Sequence, residues 1–261
     1  MLIVTLTGGI GSGKSTVAAA LAECGARLLS LDDVARDVLA PGEEAVREVG
    51  GLWPEAVKEG KIDRAALAKI VFDDAEALAR LNAIVHPRTW ERAQAQLASW
   101  REESLQAQSH RVELSGAQTG LTHGSRFPGD HADLPGQGAE FSGDRANPLD
   151  GGGREFVAVV ELALLAGSPY QDAYHGTIVV DAPEDVRVMR LVNSRGMDKA
   201  DARARIASQV PASRVRELGD VVVDNGGSLD GAARAARELW EGWLVPYAAN
   251  MREGRRVFGS G

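Results

Sequence analysis

The sequence predicts an α/β fold built on a parallel sheet, and two observations carry that expectation. Apolar, β-branched runs alternate with helical stretches: Leu2-Ile3-Val4-Thr5-Leu6, Arg27–Leu31, Phe156–Val160, Thr177–Asp181 and Val221–Asn225. Continuous apolar runs suit strands buried on both faces, and their alternation with helices implies right-handed βαβ units. The second observation is the turn after the first run, Gly8-Gly9-Ile10-Gly11-Ser12-Gly13-Lys14-Ser15, which fills every fixed position of the phosphate-loop pattern G-x-x-x-x-G-K-S/T. Glycines let backbone N–H groups converge on phosphate oxygens, the lysine adds a mobile charge, and the serine hydroxyl can hold Mg²⁺. Strand, glycine loop and helix together place an anion at a helix N-terminus, so the chain is expected to bind a nucleotide.

The elements follow in order. Thr16 to Glu23 is rich in Ala and Leu and reads as a helix ended near Gly25. The second strand ends in Asp32 and Asp33, at the strand terminus where α/β sheets place ligands. Asp32 is thus either a chemical group or the N-cap of the next helix. Pro41-Gly42 breaks the chain, and helices without strand signals then run to about Trp100. Leu67, Ile70 and Val71 give one apolar face, and Leu78, Leu81, Ile84 and Val85 another, with Asp63 and Asp73 as N-caps. His86-Pro87 is expected to stop the second of these helices.

From about 101 to 155 glycine, serine and proline crowd the chain without sustained periodicity, which predicts a disordered insertion. His110, His123 and His131 lie there without the spacing of a metal site. Pro183-Glu184-Asp185 opens a helix with Val186, Met189 and Leu191 as its apolar residues, and an amphipathic helix from Leu229 to Tyr247 closes the fold.

With 44 % hydrophobic and 25 % charged residues, the 261-residue chain has the composition of an ordinary soluble protein. A net charge of −8 disfavours nucleic acid as a partner. One cysteine, Cys24, precludes an internal disulfide and suits a reducing cytoplasm. With neither a leader pattern nor a long apolar stretch in the sequence, no membrane association is expected.

Residues along the chain resemble one family, the dephospho-coenzyme A kinases. The family string LTGGIGSGKSTV stands unchanged from Leu6 to Val17. A D-A-D-x-x-A-R element is matched by Ser30 to Arg36, then P-G by Pro41-Gly42, and D-R-x-x-L-x-x-I-V-F by Asp63 to Phe72. I-x-H-P stands at Ile84 to Pro87, V-V-D-A-P at Val179 to Pro183, R-I-x-x-Q at Arg205 to Gln209, and D-x-x-x-D-N at Asp220 to Asn225.

The resemblance implies a P-loop kinase fold: a parallel sheet flanked by helices, with an inserted helical substrate-binding subdomain and a small lid. The nucleotide-binding core would span 1–35 and 156–261, with the lid at about 193–212. The substrate-binding subdomain would span 36–98, and the insertion 101–155. The implied reaction is transfer of the ATP γ-phosphoryl to the ribose 3′-hydroxyl of dephospho-coenzyme A, with Mg²⁺. Gly9, Gly11, Ser12, Gly13, Lys14, Ser15 and Thr16 would cradle ATP, and Lys14, Asp32 and Arg195 would be catalytic. Asp32 is taken as the base, and Arg195 as the lid arginine that closes on the phosphates. Asp32, Arg36 and His86 would bind the acceptor, and Ser15 and Glu161 the metal.

Two positions depart from the family pattern. Ser30 replaces the first acidic residue of D-A-D, and Glu161 to Gly167 replaces D-x-P-L-L-F-E, losing the proline and the final glutamate. Two other readings therefore accompany the leading one: a kinase of another small metabolite or nucleoside, and a nucleotide-binding sensor with weakened catalysis. The segment from Asp63 to Pro87 weighs against the first, and the persistence of Lys14, Ser15, Asp32 and Arg195 against the second.

Overall fold

A computed structural model describes residues 1–72, 74–118, 156–162 and 174–252. The chain divides into two compact units, Met1–Arg101 with Glu155–Gly261, and Glu102–Arg154. Five parallel strands form the sheet of the first unit: β1 (Leu2–Thr7), β2 (Arg27–Ser30), β5 (Val157–Glu161), β6 (Gly176–Asp181) and β7 (Val221–Asp224). Their spatial order is β2-β5-β1-β6-β7. Leu6 stands opposite Glu161, Glu161 opposite Ser30, and Thr7 opposite Val179, so the carboxyl ends of β1, β5 and β2 are nearly level and β6 runs on to Asp181.

The side chains of β1 show why its run is apolar throughout. Leu2, Val4 and Leu6 enter one core with Val157, Val159, Ile178 and Val180, closed by Val17 and Leu21 of α1 (Lys14–Cys24) and Ala232 and Ala236 of α9 (Leu229–Leu239). Ile3 faces the opposite core with Leu29, Ala158 and Val160. Both faces are therefore covered, as a parallel sheet requires. Gly25 ends α1 in the left-handed region at φ 114°.

Ser30 is the N-cap of α2 (Leu31–Val38), accepting the Asp33 N–H at 3.2 Å, so Asp32 sits in the first helical turn and caps nothing. A helical segment follows: α3 (Glu44–Leu52), α4 (Arg64–Phe72) and α5 (Ala75–Gln118), packed on Val38, Val49, Leu67, Ile84 and Val85. Contrary to expectation it holds a hairpin, β3 (Val57–Lys58) with β4 (Lys61–Ile62). Its turn puts both Glu59 (φ 51°) and Gly60 (φ 73°) in the left-handed region, a geometry whose usual signal is Asn-Gly. Asp63 caps α4 through the Ala65 and Ala66 amides. Asp74 caps α5 through Glu76 and Ala77, and Asp73 lies outside the described residues.

Pro87 does not stop its helix; α5 runs through it. Side-chain donors support the turn that proline opens: Arg88 Nη1 donates to the Ile84 carbonyl at 2.9 Å and Thr89 Oγ1 to Val85 at 2.8 Å. Packing does the rest, since Ala93 and Leu97 further along the helix are buried against the sheet. Residues 101–118 are helical as well, correcting the expectation of disorder there. That stretch holds Glu, Gln, Ala, Leu and Arg with no glycine before Gly116, and only the sequence beyond is glycine-rich. The rest of the expected insertion, including His123 and His131, lies outside the described residues, as does Ala163–Gly167.

After β6, α6 (Glu184–Arg195) buries Arg187, Val188 and Leu191, while Met189 is exposed, against expectation. The buried stripe is thus Arg187, Val188 and Leu191, an arginine beside two apolar residues, which a hydrophobicity pattern misassigns. Then come α7 (Lys199–Ala207) and α8 (Ala212–Arg216). The closing helix is interrupted: α9 passes through a π-helical turn at Trp240–Leu244 into α10 (Val245–Arg252). Among the described residues no helix is long and apolar enough to cross a membrane.

His175 ties β1 to the start of β6. Its backbone N–H donates to the Ile3 carbonyl at 2.8 Å, its ring Nδ1 lies 2.9 Å from the Ile3 N–H, and Tyr247 donates to its carbonyl at 2.7 Å. Burial lowers the ring's pKa; the Ile3 carbonyl opposes this, and the Arg101 and N-terminal charges reinforce it. The folded state therefore holds a neutral ring, while the unfolded chain takes up a proton below about pH 6.5. The stability this contributes is full above that pH and is lost as pH falls toward the folded value. Replacing His175 with Gln is expected to flatten the slope of unfolding free energy between pH 7 and 5, by at most about 1.4 kcal/mol per pH unit. Urea titrations at stepped pH measure it, and an unchanged slope would refute the assignment.

Candidate functional site

The loop between β1 and α1 lies over the carboxyl ends of the strands, where the sheet order reverses around β1. Gly8 (φ 154°), Gly11 (φ 75°) and Gly13 (φ 90°) all have positive φ. These positions also lack room: a Cβ on Gly13 would meet Asn225 Nδ2 at 2.1 Å, one on Gly8 the Val180 carbonyl oxygen at 2.2 Å, and one on Gly11 the Arg187 carbonyl oxygen at 2.9 Å. Glycine is required here by both conformation and space.

A cavity of about 680 Å³ opens over the loop. It brings together the expected Gly9, Gly11, Gly13, Lys14, Ser15 and Thr16 with Asp32 from α2 and Arg195 from the end of α6. Ser12, expected with them, is buried at 1 % exposure and does not line the cavity. Lys14 Nζ donates to the Gly8 carbonyl at 3.0 Å. Burial lowers the Lys14 pKa; Glu161 and Asp32 pull it back up, and Arg195 and Arg187 lower it further. The ammonium thus stands between carboxylates and arginines, all within electrostatic reach.

A second cavity of about 510 Å³ adjoins on the α2–α5 side, and Asp32 lines both. Its walls include Leu39, Leu67, Val71 and Val85, with Arg36, Arg64 and His86 as its basic groups. His86 is exposed in mid-helix, so it does not serve a helix C-terminus. Arg36 pairs with Asp33 one turn away, both more than half exposed. Such a pair is worth about 0–1 kcal/mol and exchanges readily for another anion. Among the described residues the exposed Asp32 carboxylate accepts no hydrogen bond, so it is available to a hydroxyl.

The metal expectation passes a chemical test. Ser15 Oγ donates to Glu161 Oε1 at 3.3 Å, so a hydroxyl and a carboxylate converge at the loop's end. Among the described residues no three His, Cys, Asp or Glu side chains cluster to hold a metal. Mg²⁺ needs no such cage, since it takes one or two hard oxygen ligands from the protein and the rest from phosphate and water.

Several residues at the site were given no role by sequence reasoning. Arg190 donates to Ser12 O at 3.1 Å and to Asn225 O at 2.8 Å, and Asn225 Nδ2 donates to Ser12 O at 2.8 Å. Gln209 Oε1 accepts the Ile10 N–H at 2.9 Å, while Arg187 Nε donates to Ile10 O at 2.8 Å. Gln209 and Asn225 ended family motifs and were visible as such; Arg187 and Arg190 carried no signal beyond their i,i+3 spacing. Arg64, the second residue of the D-R motif, is likewise a cavity group.

Comparison with known proteins decides among the readings. A family model described as dephospho-CoA kinase matches residues 2–109 and 151–231. This chain belongs to the dephospho-CoA kinase family. It is 34 % identical over 243 residues to the dephospho-CoA kinase of Thermobifida fusca, covering 92 % of this chain and 96 % of that one. Against the dephospho-CoA kinase of Corynebacterium jeikeium it is 32 % identical over 243 residues, covering 93 % and 100 %. A Thermus thermophilus crystal structure is 28 % identical with a TM-score of 0.64, covering 93 % and 97 %. A Campylobacter jejuni dephospho-CoA kinase shares the fold at 18 % identity, TM-score 0.58, covering 94 % and 98 %. The chain is therefore a kinase whose parallel sheet and loop are those of its family.

In this kinase a rise in melting temperature with ATP is expected of the wild type and none of Gly13→Ala, because the added methyl collides with Asn225 and the positive φ is strained. Differential scanning fluorimetry with and without ATP measures the shift.

Proposed function

We propose that this kinase transfers the γ-phosphoryl of ATP to the ribose 3′-hydroxyl of dephospho-coenzyme A, giving coenzyme A and ADP. Family membership supports the reaction, and one observation carries the geometry: Asp32 lines both the loop cavity and the basic, apolar-walled cavity beside it. A donor phosphate on one side and an acceptor alcohol on the other would meet at that carboxylate.

Phosphoryl transfer demands alignment and charge stabilisation rather than covalent help. Gly9, Gly11, Gly13, Ser15 and Thr16 hold the triphosphate through the loop, with Ser12 buried beneath them, and Lys14 supplies charge to its terminal phosphates. Asp32 accepts the proton of the 3′-hydroxyl as it attacks. Arg195, beside the left-handed Gly196 (φ 60°) at the end of α6, closes on the transferring group from the lid at about 193–212. Arg36, Arg64 and His86 bind the acceptor's phosphates, with apolar residues of the 36–98 subdomain against its uncharged arm. Ser15 and Glu161 are the residues that would hold Mg²⁺, whose charge offsets that of the bound phosphates. A reducing cytoplasm fits a chain whose one cysteine, Cys24, has its thiol pKa raised chiefly by burial.

ADP release measured with dephospho-coenzyme A and a panel of nucleosides tests the proposal; turnover confined to a nucleoside would replace it. Lys14→Ala is expected to lower kcat by about 10²–10³, the usual effect of removing a transition-state charge contact. Asp32→Asn is expected to leave the ATP Kd within twofold while kcat drops by about 10²–10⁴. Wild-type kcat in the Asp32→Asn enzyme would remove Asp32 from the base role.

A further inference from the structure

Arg187 stands on the buried side of α6 at 6 % exposure, yet among the described residues no carboxylate lies within ion-pairing distance of it. Removing a guanidinium from water is costly unless its donors are used. Here they are used on the phosphate loop. Nε donates to the Ile10 carbonyl at 2.8 Å, Nη2 donates to Gln209 Oε1 at 2.8 Å, and that same oxygen accepts the Ile10 N–H at 2.9 Å. Ile10 is held at its amide and its carbonyl by one closed network. Its side chain joins a small apolar cluster with Val188, Leu191, Ala202 and Ile206, so α6 and α7 grip it too. A Cβ on Gly9 would lie 2.4 Å from Arg187 Nη2, so the guanidinium is packed directly against the loop backbone.

Arg187 does not line the cavity over the loop; it lines a neighbouring one of about 560 Å³ bordered by Asp181, Glu184 and Arg216, with Gln209 lining both. Whatever it does for a bound phosphate must pass through the loop. We infer that Arg187 is a positioning residue of the phosphate loop: it fixes the Ile10 peptide and sets a buried positive charge behind the loop's anion-binding N–H groups without touching the nucleotide. A charge in a site shielded from water is screened weakly, so its effect grows with the ligand's charge. That dependence separates it from a purely structural role.

This rests on the loop being the ATP site, and calorimetry distinguishes the two. Wild-type protein that binds no ATP would remove that reading; wild-type binding with an unchanged variant would remove only this inference. Arg187→Met is expected to weaken ATP binding about 10- to 100-fold, the loss of a charge-assisted hydrogen bond, with a smaller factor for ADP and the smallest for AMP. Arg187→Lys, keeping the charge but not the fork, is expected to recover most of the ATP affinity. Should Arg187→Met not fold, Arg187→Gln is the decisive variant. It keeps a donor that can reach the Ile10 carbonyl, removes the buried charge without altering a residue of the loop cavity, and is expected to weaken ATP in the same graded way at an unchanged melting temperature. A wild-type ATP Kd in either folded variant, or one common factor for ATP, ADP and AMP, overturns the inference.

Discussion

A loop that turns its N–H groups toward an anion must turn its carbonyls the other way, into the protein, where each needs a donor. That constraint organises the surroundings of residues 8–15. Gly8 O is met by Lys14 Nζ, Gly9 O by the Ser12 amide, Ile10 O by Arg187, and Ser12 O by both Asn225 and Arg190. Gly13 O then receives the Thr16 and Val17 amides and becomes the first carbonyl of α1. The glycines supply the curvature, but they do not hold it. The holding is done by side chains from α6, from the end of α7 and from the tip of β7, so elements remote from the loop in sequence are part of it in energy.

This explains what the sequence made legible and what it hid. The five strands were readable because burial on both faces leaves long apolar runs, and the loop because its conformation admits only glycine at fixed positions. The contacts of the clamp were not readable, although Gln209 and Asn225 stood at the ends of motifs. Arg187 lies 177 residues from Ile10, and Asn225 lies 213 from Ser12, and no local pattern encodes a contact at that range. Pro87 misled for a related reason: its cost is local, while the packing of Ala93 and Leu97 that carries α5 onward is tertiary. The hairpin at Val57–Ile62 escaped because two-residue strands leave no alternation to detect.

Ser30 acquires a purpose once the geometry is known. A carboxylate is absent where the family has one, but the hydroxyl caps α2 and so sets the first helical turn, on which Asp32 rides. The alternative reading of Asp32 as a cap falls with the same observation, since a helix has one N-cap and here it is the serine. Glu161 stands beside Ser30 in the register and reaches the Ser15 hydroxyl, so the longer side chain still arrives at the loop's end. The site thus keeps one carboxylate facing the loop hydroxyl and another lining the cavity on the α2–α5 side.

The strand order assigns these tasks to opposite sides. β1 is central: β5 and β2 lie to one flank and carry Glu161 and the approach to Asp32, while β6 and β7 lie to the other and lead into Arg187, Arg190 and Asn225. Helices leaving the sheet in opposite directions open a crevice only at such a switch point. The groups proposed to receive the acceptor and those that clamp the loop therefore descend from different strands, and it is the second set that bonds the loop carbonyls of Ile10 and Ser12. The Gln209 oxygen, shared between Ile10 and Arg187, belongs wholly to the second flank. The two flanks meet at Lys14, whose ammonium is pulled by Glu161 and Asp32 from one side and pressed by Arg195 and Arg187 from the other.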